Sequence, residues 1–84
     1  MGVNKMTRID WREKIVANPK IHGGDPCFKG TRIPVSMIVG SLADGMTPEE
    51  IIEQYPQLTP DDIRAALSYA ADLTQQEVWY PLKV

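Results

Sequence analysis

From residue 35 onward, apolar positions recur with the period of a helix. Val35, Ile38, Val39 and Leu42 form one stripe, Ile51, Ile52 and Tyr55 a second, and Ile63, Ala66, Leu67, Ala70 and Leu73 a third. Each stripe is bounded by residues that start or stop helices. Gly45 supplies the left-handed conformation that closes the first helix. Thr47-Pro48-Glu49-Glu50 then spells an N-cap, a proline at the first helical position and a capping-box acid. Thr59-Pro60-Asp61-Asp62 repeats the pattern, with both acids favoured by the dipole at a helix start. Between the two, Tyr55-Pro56 ends the second helix, because a residue before proline is pushed out of the α region. The pattern predicts three helices joined by short turns, the third running past Leu73 through Thr74-Gln75-Gln76-Glu77-Val78, since no breaker occurs before Pro81.

The first third lacks helical periodicity. Ile15-Val16, Cys27-Phe28 and Thr31-Arg32-Ile33 are β-compatible, and Lys29-Gly30 separates the last two by the two residues of a tight hairpin. Cys27-Phe28 is therefore expected to pair with Thr31–Ile33. On such a strand an inward Ile33 turns Arg32 outward, towards DNA, a partner, or an acid such as Asp44 or Asp62. The segment from Trp11 to Ile15 fits either a helical turn or an extended run. The expected fold is mainly α: a three-helix, helix-turn-helix-like bundle preceded by a short β-hairpin. Residues 1–84 read as one domain, with a β segment at 1–34, a helical unit at 35–78 and an apolar tail at 79–84. The tail residues Trp79, Tyr80 and Leu82 either pack on the chain's own core, or a second copy of it, or meet a separate partner.

Charge divides along the same line. Residues 1–33 carry +4, from seven Lys/Arg against Asp10, Glu13 and Asp25, whereas residues 34–84 carry −6, from Arg64 and Lys83 against eight acids. The two halves suit different partners. At 84 residues a single core is marginal, so a homodimer is expected. No apolar run approaches the roughly 20 residues that span a bilayer, and the start MGVNKMTRIDW lacks the apolar stretch of a secretory signal, so a cytoplasmic location is the default expectation. With one cysteine, Cys27, and one histidine, His22, neither an internal disulfide nor a one-chain zinc site is expected.

The stretch GGDPCFKGTRI at 23–33 resembles a phosphate loop, but Gly24 and Gly30 bracket five residues and no lysine follows Gly30, so it does not meet that pattern. Cys27 near His22 is a weak thiolate pair, and a small core residue is the better reading of Cys27. The acids Glu49, Glu50, Glu53, Asp61 and Asp62 serve capping, dipole and surface roles better than a metal. The chain is thus expected to be no enzyme and to need no cofactor. Recognition remains. The second and third helices outline a helix-turn-helix, yet the third opens with Asp61-Asp62 and carries only Arg64 as a cation. DNA contact, if made, falls to Lys29, Arg32 and Arg64.

The ordered run Gly23-Gly24, Pro26, Gly30-Thr31-Arg32-Ile33 and Val35, followed by Gly45, Thr47-Pro48-Glu49-Glu50-Ile51, Tyr55-Pro56, Leu58-Thr59, Asp62-Ile63 and Ala65-Ala66-Leu67, then Tyr69-Ala70, resembles the bacterial family called domain of unknown function 433. The resemblance covers about residues 15 to 78. It implies a homeodomain-like or winged-helix-like tri-helical domain after a short β segment. It further implies the antitoxin half of a toxin–antitoxin pair, neutralising a PIN-like nuclease toxin; the charge division adds the expectation that the basic third of a homodimer contacts operator DNA while the acidic helical half and the apolar tail cover the nuclease groove. In that picture Gly23, Gly24, Pro26, Gly30, Thr31, Arg32 and Ile33 form a signature loop and strand, with no catalytic residue among them. Asp25 departs from the basic or polar residue the resemblance implies there, which weighs against this loop gripping phosphate. The alternative is a stand-alone helix-turn-helix transcriptional regulator without a toxin, and a third reading is a dimeric scaffold.

Overall fold

The computed structural model describes residues 8–76. Two short strands, β1 (Ile15–Ala17) and β2 (Pro26–Phe28), precede three helices, α1 (Val35–Ala43), α2 (Pro48–Gln54) and α3 (Pro60–Gln76). The expected helices form at the expected places because their ends are encoded locally. Glu50 N–H donates to Thr47 Oγ1 at 3.1 Å and Thr47 N–H to Glu50 Oε1 at 2.9 Å, closing a capping box on α2. Asp62 N–H donates to Thr59 Oγ1 at 3.2 Å and Thr59 N–H to Asp62 Oδ2 at 2.9 Å, closing a second on α3. Gly45 takes φ +101° just past α1, and its N–H donates to Leu42 C=O at 3.0 Å.

The hairpin differs from expectation in its partner strand. β2 pairs antiparallel with β1, in the register Ile15 with Phe28, Val16 with Cys27 and Ala17 with Pro26. Residues 31–33 form no strand. Lys29-Gly30 does make the tight turn, with Thr31 N–H donating to Phe28 C=O at 3.0 Å and Gly30 at φ +76°. The Thr31 hydroxyl then donates to Phe28 C=O at 2.8 Å and accepts from Ile33 N–H at 3.0 Å, diverting the backbone of the return leg. Pro34 has no N–H to extend a ladder. What survives is a single bridge, Cys27 to Pro34, and one hydrogen bond from Phe28 N–H to Ile33 C=O at 3.2 Å.

The core joins both halves of the chain: Ile15, Phe28 and Ile33 pack with Val35, Ile38, Ile51, Leu58 and Ile63. The buried face of α3 is turned relative to the apolar stripe. Leu67 and Leu73 stand 48% and 44% exposed, while Ala65, Ala66 and Ser68 are buried. The cause is that α3 is packed from two directions. α1 and α2 press on one side, and the amino-terminal segment lies on another. That segment forms a 3-10 turn, Trp11–Glu13, started by Asp10, whose carboxylate accepts from Arg12 N–H at 3.1 Å. Trp11 stacks edge-on against Tyr69 with ring centroids 4.7 Å apart, and its Nε1–H donates to Asp72 Oδ2 at 2.8 Å. Ser68 Oγ–H donates to Ile9 C=O at 2.8 Å. No described helix is long and apolar enough to cross a membrane.

Candidate binding surface

The signature residues lie in the connection between the two strands and in the turn and return leg that follow β2. Residues 18–25 connect β1 to β2 through a 3-10 turn at His22–Gly24. His22 itself has φ +52°, a strained value for a side-chain-bearing residue. A hydrogen bond accompanies the strain: His22 Nε2–H donates to Arg32 C=O at 3.0 Å, tying the connection to the turn after β2. Between them lies a cleft of about 330 Å³, lined by the apolar side chains of Val16, Ile21 and Cys27 together with Asn18, Gly30, Thr31 and Arg32. Cys27 is buried and donates weakly to Asp25 C=O at 3.5 Å, so the thiol and the imidazole each have a backbone partner and are not hydrogen-bonded to one another.

Of the cations singled out in the sequence, Lys29 and Arg32 share the turn between β2 and α1, and both are exposed. Neither forms an ion pair with a described residue. The salt bridge considered for Arg32, to Asp44 or Asp62, is therefore absent among the described residues, and Asp62 is instead spent on the α3 capping box. Arg64 is not brought to the turn. It lies on α3, 3.7 Å from Asp61 in an i,i+3 pair, both side chains exposed. The outward positions of α3 read Asp61, Arg64, Leu67 and, further along, Leu73, Thr74 and Gln75. This face is poor in groups that read bases or hold phosphate. The acids Glu49, Glu50 and Glu53 are exposed along α2. Trp79, Tyr80 and Leu82 lie outside the described residues.

The Trp11 attachment to α3 and the cleft were not foreseen from the sequence. The one signal for the first was an indole within a polar segment, since a buried or half-buried Trp N–H normally has an acceptor nearby.

Residues 15–70 match the family described as Protein of unknown function (DUF433). The chain belongs to that family. It is 41% identical over 59 residues to the uncharacterized protein y4eO of Sinorhizobium fredii (strain NBRC 101917 / NGR234), a match covering 70% of this chain and 27% of that protein. Its fold is similar to the crystal structure of a DUF433 member protein from Anabaena variabilis ATCC 29413, with TM-score 0.69 and 33% identity over 75% of this chain and 62% of the other. The DUF433 chain thus spans about a quarter of the first relative and under two thirds of the second. The match begins at β1 and ends within α3, so it includes the hairpin, the cleft and the capping boxes while leaving out Trp11 and Asp72.

Proposed function

We propose that this DUF433 chain is a binding module of the antitoxin kind: a homodimer that neutralises a PIN-like nuclease and contacts operator DNA through its hairpin turns. The observation that supports this reading is the separation of exposed charge on one small body. Lys20, Lys29 and Arg32 stand exposed on the turns that flank β2, without ion pairs to described residues, while Glu49, Glu50 and Glu53 line α2. A nuclease that holds RNA presents a basic groove, and an acidic helix can occupy it in place of the polyanion. The hairpin cations are free for phosphate, which charge steering delivers from a distance. Co-expression with a neighbouring nuclease gene tests the first half. Co-purification and relief of growth arrest are expected, and neither occurring refutes it.

The helix-turn-helix outline of α2 and α3 supports the second reading, a regulator that acts on DNA alone. Both readings expect salt-dependent binding to the chain's own promoter. Replacing Lys29 and Arg32 together by Ala should lower the slope of log K against log salt by about 2 for each protomer in contact, and so by about 4 for a homodimer, near 0.9 for each phosphate that is no longer neutralised. An unchanged slope removes the hairpin from the DNA contact, and absence of binding at low salt removes DNA altogether.

A further inference from the structure

The cleft beside β2 holds unspent binding groups of one kind. Three of its lining side chains, Val16, Ile21 and Cys27, are apolar, and none is acidic. Val16 is 44% exposed, so apolar surface there still faces water. The polar side chains divide into spent and free. The Thr31 hydroxyl proton goes to Phe28 C=O and the Cys27 thiol proton to Asp25 C=O. Asn18 Oδ1 accepts from Lys20 N–H at 2.9 Å. That bond fixes which end of the amide is oxygen and leaves both protons of Nδ2 without a partner among the described residues. The Arg32 guanidinium has no partner among them either. What the cleft offers is therefore apolar surface and N–H donors, one group of them charged.

We propose that this cleft binds a small organic carboxylate with an apolar body. The carboxylate accepts from the fork of Arg32 and from the Asn18 amide, while the body covers Val16, Ile21 and Cys27. A carboxylate is all acceptor, which matches a set of donors; a neutral amide gives up the charge, and an inorganic anion leaves the apolar side chains wet. The volume lies at the small end of ligand sites and equals about eleven waters at roughly 30 Å³ each, which suits an acid of roughly ten non-hydrogen atoms. The site is built before a ligand arrives. His22 Nε2–H, donating to Arg32 C=O at 3.0 Å, ties the connection that carries Asn18 and Ile21 to the turn that carries Thr31 and Arg32. The inference stands without the antitoxin reading and meets it at one residue. Arg32 is also a proposed phosphate contact, so an acid held there withdraws that cation from DNA.

The test titrates the full isotope-labelled chain with hydrocinnamate and follows its amide NMR signals. Saturable shifts should cluster at Asn18, Ile21, Gly30 and Arg32, with a Kd on the order of 0.1–1 mM, as a ligand of this size allows. Hydrocinnamamide, which keeps the shape without the charge, and inorganic phosphate, which keeps charge without the body, should each bind about tenfold more weakly or worse. Arg32→Gln should weaken hydrocinnamate by about tenfold or more. Asn18→Asp still accepts from Lys20 N–H but sets a like charge against the ligand, and should weaken it as much. Both positions are exposed, so the rest of each spectrum should overlay the parent. The proposal is overturned by no saturable shift at the cleft below about 10 mM, by equal binding of the amide or of phosphate, or by binding that survives both substitutions. The C-terminal carboxylate of a protein shares this chemistry: an acetylated tetrapeptide ending in Phe that binds about tenfold more tightly than hydrocinnamate assigns the cleft to a chain terminus and overturns the small-molecule reading. A chain that binds the acid but neither nuclease nor DNA would sink the functional reading and leave the site intact; one that binds either partner and not the acid would do the reverse.

Discussion

The attachment of the amino-terminal turn to α3 is the contact whose strength the geometry specifies best. Three interactions meet at Trp11: the edge-on ring of Tyr69, the hydrogen bond to Asp72 and the Arg12 guanidinium, 4.5 Å from the ring centroid. Trp11→Phe keeps an aromatic ring against Tyr69 and deletes the N–H. A hydrogen bond to a charged acceptor contributes roughly 1.5–3 kcal/mol, and because the Asp72 side chain is 29% exposed the low end applies. The neighbouring Arg8–Asp72 pair, at 3.4 Å with Arg8 54% exposed, contributes little once screened. Trp11→Phe and Asp72→Ala should each cost about 1–1.5 kcal/mol. The double variant should cost little more than either alone, a coupling of about 1 kcal/mol. In a domain of this size that is a change in Tm of roughly 4–8 °C per kcal/mol. Urea and thermal unfolding followed by far-UV circular dichroism measure it without relying on Trp11 fluorescence, which the substitution removes. Additive costs, agreeing within about 0.3 kcal/mol, would refute the claim that this hydrogen bond docks the segment. So would a Trp11→Phe protein as stable as the parent.

Thr47→Ala and Thr59→Ala should each lower stability by about 1 kcal/mol, and since the two capping boxes share no residue the double variant should lose about 2; denaturant melts check both size and additivity. Gly30→Ala and Gly40→Ala should move in opposite directions. A Cβ at either position meets nothing within 4 Å, but Gly30 sits at φ +76° and Gly40 within α1. Strain should cost the first about 1–2 kcal/mol, while helix propensity should stabilise the second by roughly 0.5–1, read from the same melts.

The helices were legible because their punctuation is local. Thr47 and Glu50, or Thr59 and Asp62, find each other three residues apart whatever the rest of the chain does. The strand partner was not, because pairing is decided by which backbone groups remain available. Lys29-Gly30 does turn the chain, yet Thr31 spends its hydroxyl on that turn and Pro34 brings no donor, so the ladder goes to Ile15–Ala17 although eight residues intervene. The buried face of α3 departs from the apolar stripe for a related reason. Periodicity in α3 registers where large apolar residues fall, and Leu67 and Leu73 are large. The face that packs is instead the one whose small residues, Ala65, Ala66 and Ser68, admit neighbours on two sides. At the candidate surface the individual cations could be picked out, but their grouping could not: Arg32 and Lys29 share a turn, while Arg64 is on another element and paired with Asp61.

These placements bear on how one small body could serve the two partners proposed above. Phe28, 1% exposed, belongs to the same core as Ile38, Ile51 and Ile63. The basic hairpin and the acidic helices are therefore faces of one packed unit, and not two modules on a linker. A ligand held at Lys29 and Arg32 is fixed in relation to α2, because β2 packs on α1 and α1 on α2. Rigid coupling of this kind requires no conformational change for one partner to influence the other. Two bulky ligands of opposite charge on one 9.4 kDa body interact through proximity and field alone.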